Sequence, residues 1–454
     1  MLRSASIAQA IDRADLRDGA VISFHHHLRN GDDVMRQVLE TVSNKGLRGL
    51  TIAPSSLFPC HASLIPYLEN GTVTGIHTAY MTGPLADAVA AGALANPAIL
   101  TTHGGRARAI ESGALKIDAA FIAAPAATPE GDLTGATGPN ACGPLGYAMV
   151  DAAHAHTIAV TDHLTDSLPR TCIPAAHVDQ LVVFDSIGDN AGIVSGTTGR
   201  APSPDGLRIA NITAQLIAAS GLLKDVFSFQ TGAGATSLAV ADALRPMMKD
   251  IQGSFAAGGI TGPLVDMHRD GLFLELRDVQ AFDLSAVQSY ANDPQHYGMS
   301  ASDYANPDRA DAFAHQLDVM ILGAAQVDTD FNVNVTRSGD GRIIGGSGGH
   351  ADTAEGAKLA IVTTTTRAGH FPKVVDRLTT LTTPGHTIGA VVTEAGIDIH
   401  PNQPGLRAAA QSAGLPLIAL QDIANQNDHT PKTGRVVAIC QDRRGNQIDL
   451  IHQR

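Results

Sequence analysis

Three consecutive histidines, His25, His26 and His27, precede Arg29 in the stretch VISFHHHLRNGDD. Imidazoles and a guanidinium placed together suit metal ions, carboxylates or phosphates. Geometry argues against a metal: consecutive residues alternate faces on a strand and diverge by about 100° on a helix, so three neighbours cannot reach one ion. The chain also lacks HExxH and the clustered Cys/His pattern of zinc deaminases, so no metal site is expected. Two readings stay open, a loop that binds carboxylate or phosphate and a loop whose polar groups only cap its own turn.

Three glycine-rich stretches are the other chemical signal. QTGAGATS (Gln230–Ser237) carries Gly232 and Gly234, and AAGGITG (Ala256–Gly262) carries Gly258 and Gly259. Neither completes a dinucleotide fingerprint or a P-loop. Backbone N–H groups at a helix N-terminus would suit an oxyanion or a phosphate, and a tight turn demanded by packing is the alternative. The third stretch, GDGRIIGGSGGHADTAEGAKLAIV, surrounds Ser347 with glycines that include Gly348 and Gly349, then places His350 and Asp352 at the start of a helix. So many glycines suggest a backbone that a ligand approaches closely. A β-bulge with Asp352 as a cap is the structural alternative.

These stretches sit in a repeating pattern. Apolar runs bounded by glycine alternate with helix-period segments: GAVISF, GLTIAP, GTVTGIHTAY, DAAFIAAP, TIAVTD and LVVFDSIG, then VFSFQTG, FAAGGITG, LDVMILG, KLAIVTTTT and GAVVTEAG. Such alternation predicts α/β domains with open, mostly parallel sheets covered on both faces. The Gly/Thr/Pro/Ser-rich stretch at 194–206 predicts a boundary near residue 205, giving domains 1–205 and 206–454. Residues 22–39 and 227–244 align as strand, polar loop and helix, which places the histidine run in a strand-to-helix loop, where α/β folds bind ligands.

Composition narrows the function. The net charge is −13, from 44 acidic and 31 basic residues, which argues against nucleic acid or an anionic membrane as partner. Cys60, Cys142, Cys172 and Cys440 are scattered and read as reduced thiols of a cytoplasmic protein. The N-terminus has no apolar signal-peptide core, and the run LADAVAAGALANPAIL is too short and too interrupted to span a bilayer.

SFHHHLRNGD, SSLFPCHASL, THGGRARAIESGALKIDAAFIAAP, GPNACGPLGYAMVDA, SFQTGAGATSLAV, VQAFDLSAVQS, DTDFNVNV, GGSGGHADTA and VVTEAGI resemble, in order and spacing, the α chains of citrate lyase. The resemblance implies two tandem CoA-transferase-type, sugar-phosphate-isomerase-like domains with the active site between them. It implies exchange of acetyl for citryl on the thioester of an acyl carrier protein, releasing acetate. The partners implied are a β chain that cleaves the citryl thioester and a γ chain, the acyl carrier protein, in an oligomer. No cofactor is held covalently; the chain acts on the dephospho-CoA-type prosthetic group of the carrier, with acetyl-CoA as surrogate.

Related transferases that use a glutamyl thioester place a glutamate after the strand that here reads GSFAAGGITG, and this segment has none. Direct attack by a citrate carboxylate, through a mixed anhydride, is therefore expected. Within that frame the expected catalytic groups are Gly232, Gly234, Gly258, Gly259 and His350. The expected substrate contacts are His25, His26, Arg29, Ser55, Ser56, Gly348, Gly349 and Asp352, with Arg29, the histidines and His350 as cations around citrate.

Overall fold

The structure, a computed structural model, describes residues 1–194, 201–427 and 433–454. Part of the expected linker, 195–200, lies outside the described residues. Among the described residues the strands form two large open sheets, of ten and eight strands, with three small sheets beside them.

The first sheet lays down Val21–Phe24, Leu50–Pro54, Val73–Thr78 and Ala98–Leu100 in one direction. It then returns to the other side of Val21–Phe24 with Ala119–Ala124, His156–Thr161 and Gln180–Val183. The second sheet repeats this winding: Ser228–Thr231, Gly253–Ala257, Phe273–Asp278 and His296–Gly298 run one way. Val319–Gly323, Leu359–Thr363 and Ala390–Val392 lie on the other side of Ser228–Thr231. These pairings are parallel throughout. The first strand of each winding is thus a topological switch point, and the loop at its carboxyl end opens into the crevice where such sheets bind ligands.

The strands form for the reason the sequence suggested. Ala119–Ala124 and Leu359–Thr363 are buried at every position, as continuous apolar runs must be when helices cover both faces. The helix Val34–Asn44 turns Val34, Met35, Val38, Leu39 and Val42 inward, a single stripe at three- and four-residue spacing. The chain's last hairpin does not stay with the second sheet. Val436–Gln441 pairs in parallel with Ala98–Leu100, and Gln447–His452 closes antiparallel on it, so the C-terminus lengthens the first sheet. Among the described residues no helix is long and apolar enough to cross a membrane.

Candidate active site between the two sheets

The two windings face each other across a cleft of about 300 Å³. Tyr80, His103 and Tyr147 line it from the first half. Gln230, Gly232, Gly258, Gly259, Gln280, Phe282, Tyr304, Gly348, Gly349 and His350 line it from the second. Among the described residues no Asp or Glu lines this cleft.

The glycine-rich loop 345–349 joins the halves. Gly348 N–H donates to the Ala79 carbonyl at 3.0 Å, and Gly348 carbonyl accepts from His103 N–H at 2.8 Å. Gly348 has φ +53°, and a Cβ on Gly346 would lie 2.4 Å from the Ala79 carbonyl oxygen, so side chains are excluded where the two backbones meet. Asp352 completes the joint. Its Oδ1 accepts from Thr102 Oγ1 at 2.7 Å, its Oδ2 accepts from Gly104 N–H at 2.8 Å at the start of helix His103–Glu111, and Arg443 lies 3.6 Å away. Burial pushes the Asp352 carboxyl up to about 6, against the pull of Arg443. Asp352 therefore ties the second half to the first, and its acceptors are not turned to a substrate as the sequence reading expected.

The histidine run forms the floor beneath His103 and Tyr147. His26 stacks on His103 at 5.8 Å between centroids and lies tilted against Tyr147 at 4.6 Å, while its Nδ1 meets Ser55 Oγ at 2.6 Å. His25 and His27 contact each other through their Nδ1 atoms. Ser56 Oγ donates to the Ser55 carbonyl at 2.8 Å. Both serines are buried in this floor and absent from the cleft lining. Burial lowers His25 to about 4 and holds His26 and His27 well below the ordinary imidazole range. They are neutral at pH 7, and the expectation that His25 and His26 act as cations does not hold.

His350 lies in the cleft wall, with Nδ1 2.8 Å from Thr383 Oγ1 and Nε2 2.9 Å from the Gly323 carbonyl. The carbonyl can only accept, so Nε2 carries the proton and Nδ1 accepts from the threonine hydroxyl. Burial lowers this imidazole to about 4, so it too is neutral. Arg29 keeps its charge, although burial lowers it to about 10. Its guanidinium lies between Phe58, at 4.9 Å, and Phe282, at 4.6 Å. Phe282 belongs to the second half, so the HHHLRN loop does reach across, but through a ring at the cleft wall. Arg29 also has φ +52°, an uncommon conformation for a side chain of this size.

Of the expected glycines, Gly232 lines the cleft, but its N–H is committed to the Ile321 carbonyl at 3.0 Å and cannot serve an oxyanion. Gly234 caps helix Ala235–Leu244 just beyond the lining. Gly258 and Gly259 line the cleft closely: a Cβ would lie 3.4 Å from Tyr304 at the first and 2.4 Å from the Phe282 ring at the second. Sequence reasoning missed His103, Tyr147, Gln230, Gln280 and Tyr304. Gln230 Nε2 donates to Tyr304 Oη at 2.7 Å, while the buried Oε1 atoms of Gln230 and Gln280 carry no partner among the described residues.

Two doubly wound sheets that meet over such a cleft define the CoA-transferase-like class of α/β proteins. The malonate decarboxylase α subunit of Acinetobacter baumannii shares this fold, with a TM-score of 0.67 at 16% identity over 92% of this chain and 85% of that one. The family described as citrate lyase, alpha subunit, matches residues 2–454. The citrate lyase alpha chain of Escherichia coli K12 is 41% identical over 99% of this chain and 90% of that protein; the Haemophilus influenzae chain is 38% identical over 99% and 92%. A solved structure from Streptococcus mutans, the putative α subunit of citrate lyase in complex with citrate, superposes with a TM-score of 0.95 at 40% identity, over 99% of this chain and 90% of that one. The chain belongs to the citrate lyase α-subunit family, the transferase component of citrate lyase. Membership implies work with the prosthetic group of an acyl carrier protein and a place in a multi-subunit complex.

Proposed function

We propose that this chain exchanges acetyl for citryl on an acyl-carrier thioester by direct carboxylate attack. The observation that carries the mechanism is a cleft lined by the backbone of Gly258 and Gly259 and by neutral polar side chains, with no carboxylate among the described residues that line it. Citrate is the acceptor by analogy with the relative whose structure holds it.

A citrate carboxylate oxygen attacks the acetyl thioester carbonyl, and the developing oxyanion is met by the Gly259 N–H, a donor worth about 3 kcal/mol in other acyl-transfer sites, beside the Gly258 N–H that is directed at the Tyr304 hydroxyl. Collapse expels the thiolate and leaves an acetyl-citryl anhydride. The thiolate then attacks the citryl carbonyl, forming the citryl thioester and releasing acetate, so no proton is consumed. The protein places the reactants and excludes water. The remaining negative charge of citrate faces the N-terminus of helix Ala235–Leu244 and the field of Arg29 behind Phe282.

The glutamates that could compete as nucleophiles are engaged elsewhere. Glu275 accepts from Arg277 at 2.7 Å, and Glu394 accepts from Thr366 N–H at 3.0 Å. The carrier protein and the lyase chain that uses the citryl thioester are the partners in this reading, and the cytoplasm is its compartment.

Acetyl-CoA, citrate and the purified chain test it. Citrate-dependent formation of a citryl thioester, without oxaloacetate, is the expected result. Thioester hydrolysis that ignores citrate would overturn it, and a trapped glutamyl adduct would overturn the anhydride route.

A further inference from the structure

A second cavity, of about 370 Å³, adjoins the cleft. Three segments line both: Gly323 faces the cleft and Ala325 the cavity, Val335 the cleft and Arg337 the cavity, Gly346 the cleft and Ile344 the cavity. Two residues of extended chain cover about 7 Å, so the spaces are side by side along every one of these segments.

The cavity's chemistry differs from that of the cleft. Among the described residues that line it, Arg337, Arg342 and Lys373 stand against one carboxylate, Asp340, which is engaged by the Ser338 hydroxyl, while Asp449 and Glu394 act on Arg337 and Lys373 from outside the lining. Arg337 is 8% exposed. Its Nε donates to the Gly341 carbonyl at 3.1 Å, and its Nη1 is buried without a hydrogen-bond partner among the described residues. Arg342 pairs with Asp87 of the first half at 3.2 Å but stays half-exposed. Phe371 is 61% exposed, whereas Phe227, Phe229, Phe255, Phe273 and Phe331 are buried. An uncovered ring beside guanidinium and ammonium groups fits a planar base with phosphate attached.

We propose that this cavity binds the phosphorylated nucleotide end of the thioester carrier arm, with Phe371 stacking the base and Arg337, Arg342 and Lys373 holding the phosphates. This rests on the transferase reading, which puts the thioester end of the same arm in the adjoining cleft. A pantetheine-type arm leaving the nucleotide would pass between Val335 and Gly346 to reach Gly258–Gly259.

ADP, which has the nucleotide and no thiol, tests the site by itself. Calorimetry on the full chain should show ADP binding that weakens about tenfold or more in Phe371→Ser and in Arg342→Glu, with the thermal midpoint of each variant as the check on folding. The ratio of kcat/KM for acetyl-CoA to that for acetylpantetheine should exceed one in the wild type and fall by a similar factor in the variants. Absent ADP binding at millimolar concentration, or binding and ratio unchanged in folded variants, would overturn the proposal. ADP binding that responds to the variants, in a chain that exchanges neither thioester, would support the nucleotide site while sinking the transferase reading.

Discussion

The two switch-point loops stand in the same place in the same winding and have been built to opposite ends. After Val21–Phe24 the loop is filled: His25, His26, His27 and Arg29 are 6%, 2%, 0% and 9% exposed. After Ser228–Thr231 the loop is open. A Cβ on Gly232 would meet nothing nearer than 3.6 Å, and one on Gly234 nothing within 4 Å. Large desolvated rings make a wall, whereas small residues leave the backbone of Ala233 and its neighbours facing the cleft. A duplicated fold offers two ligand mouths; here one has become the floor under the other.

The strongest way to break this comparison is to crowd the cleft wall beside the open loop. In Gly259→Ala the new methyl lies 2.4 Å from a Phe282 ring atom, and that ring is held by Arg29. Moving the ring and the backbone donor together costs about 3 kcal/mol, so citrate-dependent exchange should fall on the order of a hundredfold. Gly234→Ala is the control, because its backbone, at φ −76°, accepts a side chain and its Cβ meets nothing. Exchange by that variant should stay within about twofold of wild type. Equal losses in both would mean that the cleft does not distinguish them.

On the filled side, Arg29→Ala removes the cation between Phe58 and Phe282. A desolvated cation–π contact is worth about 2 kcal/mol, so exchange should drop on the order of tenfold, mostly as a higher KM for citrate. Lysine should not restore it, since an ammonium lacks the flat face that two rings enclose. Rescue by Arg29→Lys would show that charge alone matters.

How legible this site was depended on the distance over which its residues converge. The strand-to-helix positions of His25–Arg29 and Gly232–Gly234 followed from alternating apolar runs, because periodicity is local. Glycines around 348 and 349 pointed to a backbone that a ligand approaches closely; the structure sets Gly348 against the backbones of Ala79 and His103, and packs Gly258 and Gly259 against the rings of Tyr304 and Phe282. Tyr147, Gln280 and Tyr304 gave no such signal: each looks like an ordinary helix or strand-end residue until the two windings face each other. Charge was misjudged for the same reason. His350 and the histidine run read as cations in sequence, and only burial, a tertiary property, makes them neutral. The opening glycine-helix junction disguised Asp352 as a ligand, when its partners Thr102 and Gly104 lie some 250 residues earlier.

Asp352 yields a smaller, pH-dependent prediction about how the two loops are kept facing. Its folded value, about 6, lies above the ordinary carboxyl value near 4, so between these the native state binds more protons than the unfolded chain. The contribution to stability is then greatest below about pH 4, declines as pH rises through 6 and is constant above, a change of roughly 2–3 kcal/mol. Asp352→Asn cannot titrate. The wild-type thermal midpoint, measured against that of the variant, should therefore fall as pH rises from 4 to 6, and parallel curves would refute the assignment.

The smallest effect expected is an absence of titration where histidines usually titrate, and it tests the filled loop most directly. Burial lowers His25 and His350 to about 4 and His103 to about 3, each below the unfolded value near 6.5. The unfolded chain takes up these protons first, so the associated stability is present above about pH 6.5 and is lost as pH falls toward 4 and 3. Asp352 works in the opposite direction over part of this range, but it is one group against several, and acid should win by destabilising the fold. Catalysis between about pH 6 and 8 is a separate matter, because none of these imidazoles changes charge there. The exchange rate at saturating citrate should be flat across that window in the wild type, and His350→Gln should leave it flat while lowering it only a few-fold through the lost bonds to Thr383 and Gly323. An inflection near pH 6.5 that disappears in His350→Gln would return a protonated His350 to the site.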